Sequence, residues 1–322
     1  MKKLEYMDKL FDLNPYYREL STFKKFNAKL NFLLSRIFKR TALIDFVQYN
    51  YFLLNSNGRK RFIDQKKRKI ISRELNNTDK VEIFDNKTLF NEYFSKFIKR
   101  GWIDMRKASF NEFKDFLLKY KEVLVKPVDG SFGIGIEKVV VNDNLDIDSL
   151  YEKFKNKDII IEEIVKQNKE FSSFNESSLN TLRIVTIINN GEAHIFGAVL
   201  RIGRKGSIVD NHHSGGLSTL IDIDTGVIKT PATDYKFSKY LSHPDNNKKL
   251  IGCEIPYWKE IINTAKEAAM VIPEVRYVGW DIAVDEKGQI LIIEGNHRAD
   301  PDVLQRADQV GKWPDLKKLA GI

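Results

Sequence analysis

Acidic side chains set into an apolar hairpin are the first residues of this chain that invite chemistry. The segment YVGWDIAVDEKGQILIIEGN (277–296) reads as two strands around Gly288, since glycine supplies the positive φ of a tight reversal. With Lys287-Gly288 as the loop, Asp281 stands opposite Glu294, and Glu294 and Asn296 project from one face of their strand. Opposed carboxylates repel unless a cation lies between them. Two carboxylates and an amide oxygen form a hard half-shell of the kind Mg²⁺ takes when phosphates complete its octahedron. The flanking Trp280, Ile282, Ile290, Ile292 and Ile293 argue against a simply solvated acidic face. Zinc is not expected, because His194, His212, His213, His243 and His297 show no ligand spacing.

A second constellation is Asp129-Gly130-Ser131-Phe132-Gly133-Ile134-Gly135, with Lys126 just before it. Glycines let a backbone turn its N–H groups onto phosphate oxygens with no Cβ in the way. The loop runs from one strand candidate, Val123–Pro127, to another, Ile136–Val141. That excludes the dinucleotide fingerprint and the P-loop, both of which open a helix. A protein kinase places its glycines before the phosphate-binding lysine and needs HRD and DFG sequences, which this chain lacks. A strand lysine followed by a glycine hairpin can clamp a triphosphate beneath a flexible lid; an ordinary hairpin would carry the same glycines.

These groups need elements to hold them. Residues 1–75 read as helical, with Phe26, Leu30, Leu33, Leu34 and Ile37 at helical spacing and bases between them. Asn86 can cap a helix whose stripe is Leu89, Phe90, Tyr93 and Phe94. Strand patterns continue at Ile159–Val165, Leu182–Ile188, Ala193–Ile202 and Thr219–Ile223. A helix at Trp258–Val271 precedes the closing strands Val278–Val284 and Ile290–Asn296. Strands and helices mixed in this order, with hairpins in the middle, predict an α+β fold rather than a doubly wound parallel sheet.

At 322 residues, 42 % hydrophobic and 30 % charged, the chain is long enough for two domains with apolar cores. Its one cysteine, Cys253, excludes a disulfide scaffold, reads as a packed thiol and suits a reducing compartment. No apolar run of membrane-spanning length is present, and MKKLEYMDKL lacks the apolar stretch of a signal peptide. A soluble cytoplasmic protein is expected. Residues 1–80 hold 19 Lys+Arg against 8 Asp+Glu, a net +11, while the remainder nets −2. That asymmetry suits an anionic surface, either the inner face of the cell membrane or an acidic glycan. Without a nucleic-acid-binding motif, no nucleic acid is expected, and a merely solvated basic face stays open as the alternative.

A strand lysine, a glycine hairpin, a Glu-containing strand and an Asp…Glu-x-Asn hairpin, in that order, resemble the ATP-grasp superfamily. SLNTLR with Arg183, then Arg201 before Asn211-x-x-x-Gly215-Gly216, and EGN…PDVLQ look most like its sugar-transfer-associated group. The resemblance spans Asp85–Gln305 and implies an ATP-grasp fold, two α+β lobes gripping ATP. Beyond the chain's own helical basic region at 1–84, it implies a lobe with the glycine-rich lid at 85–165 and a metal-bearing lobe at 166–322. Lys126 and Lys87 would contact ATP phosphates, and Gly130, Ser131, Gly133 and Gly135 would belong to the lid. Glu162, Glu163 and Val165 would form the hinge against adenine, with an acidic side chain for the ribose. Asp281, Glu294 and Asn296 would hold one or two Mg²⁺ ions, with Asn296 also facing the nucleotide. Arg183, Arg201, Asn211 and Lys126 would serve the transferred phosphoryl group. The usual α/β domain that precedes the ATP-grasp lobes of the ligases is not visible, and a basic, aromatic-rich helical segment takes its place.

The resemblance further implies a carboxylate–amine ligase working through an acyl phosphate, in polysaccharide or glycan biosynthesis, with a sugar acid or amino acid as one substrate. The lack of a Ser/His/Asp triad suits chemistry done by positioning and charge neutralisation. Two alternatives stay open: a phosphotransferase on the same scaffold, and a non-catalytic nucleotide-binding module recruited to a membrane.

Overall fold

A computed structural model of the chain describes residues 2–130, 135–207, 210 and 215–322. Its eleven strands are β1 Trp102–Asp104, β2 Glu122–Pro127, β3 Glu137–Val140, β4 Ile159–Glu163, β5 Thr181–Asn189, β6 Glu192–Ile202, β7 Leu217–Leu220, β8 Ala232–Thr233, β9 Lys239–Tyr240, β10 Tyr277–Val284 and β11 Ile290–Asn296. They form two antiparallel sheets, one of order β1-β4-β2-β3 and one of order β11-β10-β5-β6-β7-β8-β9. The expected strands fall within a few residues of these bounds. The short β1, β8 and β9 carry too few residues for a period-2 pattern to register.

The small sheet packs one face on an apolar core. Val123, Val125, Val139 and Ile161 pack on Phe113, Phe116, Leu117 and Phe154, from the helices Phe110–Tyr120 and Ile147–Phe154. Ser109 and Glu112 close a reciprocal capping box at the start of the first of these helices. Because side chains alternate along a strand, burying Val123 and Val125 turns Leu124 and Lys126 to the other face, and burying Ile161 does the same for Ile160 and Glu162.

The large sheet is covered on both faces. Leu182, Ile184, Leu200, Trp280, Ile282 and Ile292 meet the helix Trp258–Ala269 and the aromatic residues Phe90, Phe94 and Phe97. Val185, Ile187, Val199 and Tyr277 meet Leu304, Leu316 and Ala320, together with Ile63, Ile71 and Leu75 from upstream. Asn86 caps the helix Lys87–Tyr93 as expected, its Oδ1 accepting from the backbone N–H groups of Thr88 and Leu89. Within that helix Phe90 is buried and Phe94 closes it into the core, whereas Tyr93 is exposed.

Residues 2–75 are helical, as expected, and enclose an aromatic-rich core of Phe11, Tyr17, Phe32, Phe46 and Tyr51. The stripe Phe26, Leu30, Leu33, Leu34 and Ile37 does form one side of a helix, Thr22–Lys39, but all five residues are exposed. The unit is fastened to the C-terminal elements through Gln305, which is fully buried. Gln305 Oε1 accepts from the Ile63 N–H at 2.8 Å, and its Nε2 donates to Tyr49 Oη at 3.1 Å. Among the described residues no helix is long and apolar enough to cross a membrane.

Candidate active site

The closing hairpin delivers the expected carboxylate pair by an unexpected route. Asp285 N–H donates to Gln289 O at 3.0 Å and Val284 pairs with Ile290, so the loop is 286–288 rather than Lys287-Gly288. That one-residue difference is cancelled by a bulge: Ile282 pairs with Ile292 while Asp281 pairs with Glu294, leaving Ile293 as the extra residue. The bulge also switches faces. Ile290 and Ile292 point into the apolar core, whereas Glu294, in register with Asp281, points to the opposite side with it.

Asp281 is 3 % exposed and already has counter-ions. Arg183, its cross-strand partner on β5, donates from Nε to Oδ1 at 2.5 Å and from Nη2 to Oδ2 at 2.9 Å. Arg201 Nη1 donates to Oδ2 at 2.6 Å, and its Nη2 lies 2.9 Å from Asp210 Oδ1. The cation anticipated between the two acids is therefore supplied, for Asp281, by guanidinium groups of the chain itself. Burial alone would raise the Asp281 carboxyl, but Arg183 and then Arg201 outweigh it and hold the group well below the carboxylate range. Arg183 lies over β10 because Gly279 has no side chain: a Cβ there would stand 2.9 Å from Arg183 Cδ and 2.5 Å from Ala299 Cβ.

Glu294 has the opposite balance. Its side chain keeps open surface, yet its surroundings desolvate it and the adjacent Asp281 charge repels its ionised form, so its pKa is raised. Two carboxyls thus crowd negative charge into one place, which a divalent cation would relieve. Asn296, two residues beyond Glu294 on β11, supplies the third oxygen donor of the hairpin; its Oδ1 accepts from the Arg298 N–H at 2.8 Å. Among the described residues no three His, Cys, Asp or Glu side chains gather at one point, so an ion here would need oxygens from a ligand such as phosphate. The hard-oxygen donor set fits Mg²⁺ on those terms.

The small sheet supplies bases. Lys126 Nζ donates to Glu162 Oε2 at 2.6 Å, and Arg100 Nη2 donates to Glu162 Oε1 at 2.8 Å. Burial would raise Glu162, but Arg100 and Lys126 hold it far below the usual glutamate range. Its carboxylate is thus sequestered in a buried triad and is not presented to a ribose. Arg100 Nη1 and Nη2 also donate to the carbonyls of Ile292 and Ile293 at 2.8 and 3.1 Å. One guanidinium therefore ties the small sheet to the outer edge of β11, at the bulge that orients Glu294. Glu163 Oε2 accepts from the Gly101 N–H at 2.9 Å, and Val165 lies half-buried in the segment leaving β4.

Lys87 closes the gap between the sheets. Its Nζ donates to the Gly130 carbonyl at 2.9 Å, and burial, the largest influence, lowers its pKa. The next influences are Glu294, Lys126, Glu162 and Asp129, so Lys87 sits within electrostatic reach of both constellations. Gly130 and Gly135 both take positive φ, and a Cβ on Gly135 would meet Pro127 Cγ at 3.0 Å. Ser131, Gly133 and Asn211 lie outside the described residues.

Lys126 and Glu162 from the small sheet, Arg183, Arg201, Asp281 and Glu294 from the large one, and Lys87 from the helix Lys87–Tyr93 thus make up the candidate site. Sequence reasoning missed Arg100, Asp210 and Gly279. Arg100 stands in KRGWID with no motif to mark it, and its partners lie 62 and 192 positions away. Asp210 directly precedes Asn211, nine positions after Arg201, with no local pattern to pair the two. His243 is fully buried with its Nε2 3.0 Å from the Gly203 carbonyl, and Cys253 Sγ donates to the Lys249 carbonyl, so both fill structural places.

Among solved structures the chain is similar to the ATP-grasp ligase PsnB complexed with its minimal precursor, at 13 % identity and a TM-score of 0.46, over 76 % of this chain and 63 % of that one. It is similar to D-alanyl-alanine synthetase A from Vibrio cholerae O1 at 15 % identity and a TM-score of 0.43, covering 74 % and 65 %. For N5-carboxyaminoimidazole ribonucleotide synthetase from Thermotoga maritima the values are 14 %, 0.39, 67 % and 42 %. The chain therefore spans less than two thirds of the length of each of these structures. No curated protein sequence matches it. The family model of sugar-transfer-associated ATP-grasp proteins matches residues 66–320, which takes in both sheets, Lys87, Lys126 and the carboxylate hairpin. The chain belongs to the sugar-transfer-associated ATP-grasp family.

Proposed function

We propose that the chain is an ATP-dependent carboxylate–amine ligase, acting in polysaccharide or glycan assembly. The observation that carries this reading is Lys87, a half-buried base whose Nζ is held on the Gly130 carbonyl and which feels the charges of both Lys126 and Glu294. A polyanion placed there would meet bases from one sheet and acid-held metal on the other. In this reading residues 85–165 carry the lid, 166–322 carry the metal-binding hairpin, and 1–84 form an added helical unit.

In the proposed reaction a substrate carboxylate oxygen attacks the γ-phosphorus, and the bond from that phosphorus to the β,γ-bridging oxygen breaks, releasing ADP. An amine then attacks the acyl carbon: the C–N bond forms, the C–O bond to phosphate breaks, and the amine proton is released. Lys87 and Lys126 would orient the phosphates. Asp281, Glu294 and Asn296 would hold Mg²⁺, which when bound neutralises charge on phosphate oxygens. Arg183 and Arg201 keep Asp281 ionised and hold the face beside the transferred group positive. Closure of the glycine segment would keep water from the acyl phosphate.

The test is release of ADP and phosphate with paired carboxylates and amines, read together with product mass. A product lighter than its two substrates by one water supports the ligase. A phosphate adduct would instead establish a phosphotransferase, and nucleotide binding without turnover on any pair would favour the non-catalytic module.

A further inference from the structure

The helix Thr22–Lys39 is amphipathic, and its apolar side faces away from the protein. Ala28, Phe32 and Ser35 seat it on the N-terminal core. Phe23, Phe26, Leu30, Leu33, Ile37 and Phe38 are all exposed, from 43 % for Leu33 to 78 % for Phe38. At 3.6 residues per turn these six fall within one arc of about 140°, opposite the seated side. Isolated exposed apolar residues are ordinary, but a contiguous aromatic and aliphatic ridge marks an interaction surface. The same helix carries Lys24, Lys25, Lys29, Arg36 and Lys39, and no acid occurs between Glu19 and Asp45. On the helical wheel Lys25 and Arg36 flank the ridge on one side and Lys24 on the other, while Lys29, beside Arg36, is held by Asp8 at 2.6 Å.

We infer that this helix docks the protein on an anionic phospholipid bilayer, with the ridge entering the acyl boundary and the flanking bases meeting headgroup phosphates. Charge complementarity chooses the occupant. A second copy of the chain would bring two acid-free basic helices together. An acidic glycan would satisfy the bases but leave the phenylalanines and leucines in water. The helix packs on the same N-terminal core as Tyr49, which Gln305 ties to the C-terminal elements, so a bound bilayer would bias the orientation of the cleft. This inference is independent of the reaction proposed above.

The test is sedimentation of the full chain with vesicles of phosphatidylcholine, alone or mixed with phosphatidylglycerol. Binding is expected to the mixed vesicles and to weaken with added salt. The combined variant Phe26→Ser, Ile37→Ser, Phe38→Ser is expected to lose roughly tenfold or more in partitioning while its thermal unfolding is unchanged. A folded chain that ignores mixed vesicles, or a triple variant that still binds them, overturns the inference. So does a concentration-dependent dimer that the triple substitution abolishes, or capture on an acidic polysaccharide that survives the substitution.

Discussion

The two sheets bury acids in opposite ways. On the small sheet one carboxylate, Glu162, faces two bases, Arg100 and Lys126, and is 2 % exposed. On the large sheet two carboxyls, Asp281 and Glu294, lie beside Arg183 and Arg201; Arg183 pairs with Asp281, and Arg201 divides itself between Asp281 and Asp210. The first arrangement is closed, since its single acid is held ionised and fully paired. The second leaves Glu294 short of a cation, with its pKa raised beside an already ionised neighbour. A structural ion pair and a ligand-ready acid are distinguished here by charge balance, because both carry acids of similar type on neighbouring strands.

The sharpest way to break this contrast is to remove the closed acid. Glu162→Gln strands the buried Arg100 and the partly buried Lys126 and should cost about 3–5 kcal/mol of folding stability, measured by denaturant unfolding. A loss near zero would mean that the triad is not closed. Next is the open acid: Glu294→Gln should not destabilise the fold at any pH, and should leave unfolding nearly unchanged at low pH, but should lower ATP turnover about 100-fold or more. Retained turnover would remove Glu294 from the proposed metal set.

The pH dependence should separate the two as well. Glu162 has a depressed pKa, so its contribution is present above the unfolded-state glutamate value and is lost as pH falls below it. Glu294 has a raised pKa, so the folded state binds the extra proton, and stability drains away as pH rises from the unfolded value through the raised one. Unfolding measured against pH for wild type and Glu294→Gln should show that second slope flattened in the variant. Smallest of all, Phe26→Ser or Ile37→Ser alone should shift stability by no more than about 0.5 kcal/mol, the ordinary range for surface sites. A larger loss would show that the ridge is covered by the protein itself.

Much of the site was legible in the residues. The β10–β11 hairpin, the Asp281–Glu294 pairing and the strand-borne Lys126, Arg183 and Arg201 follow from period-2 patterns and short-range turns. The pairing emerged although the turn was misjudged by one residue, because the bulge at Ile293 shifts the register back. Bulges leave no periodic signal and had to be seen.

Within the chain, apolar periodicity and turn chemistry determined which segments are helices and strands, because those preferences act over a few neighbouring residues. Tertiary structure alone decided which way the helix Thr22–Lys39 turns its ridge, since its spacing serves a core and a surface equally. It also decided that Asp281 finds its cations in arginines 98 and 80 positions away, and that Arg100 bridges the two sheets. Such contacts depend on how whole sheets stack, and no local run of residues encodes that distance.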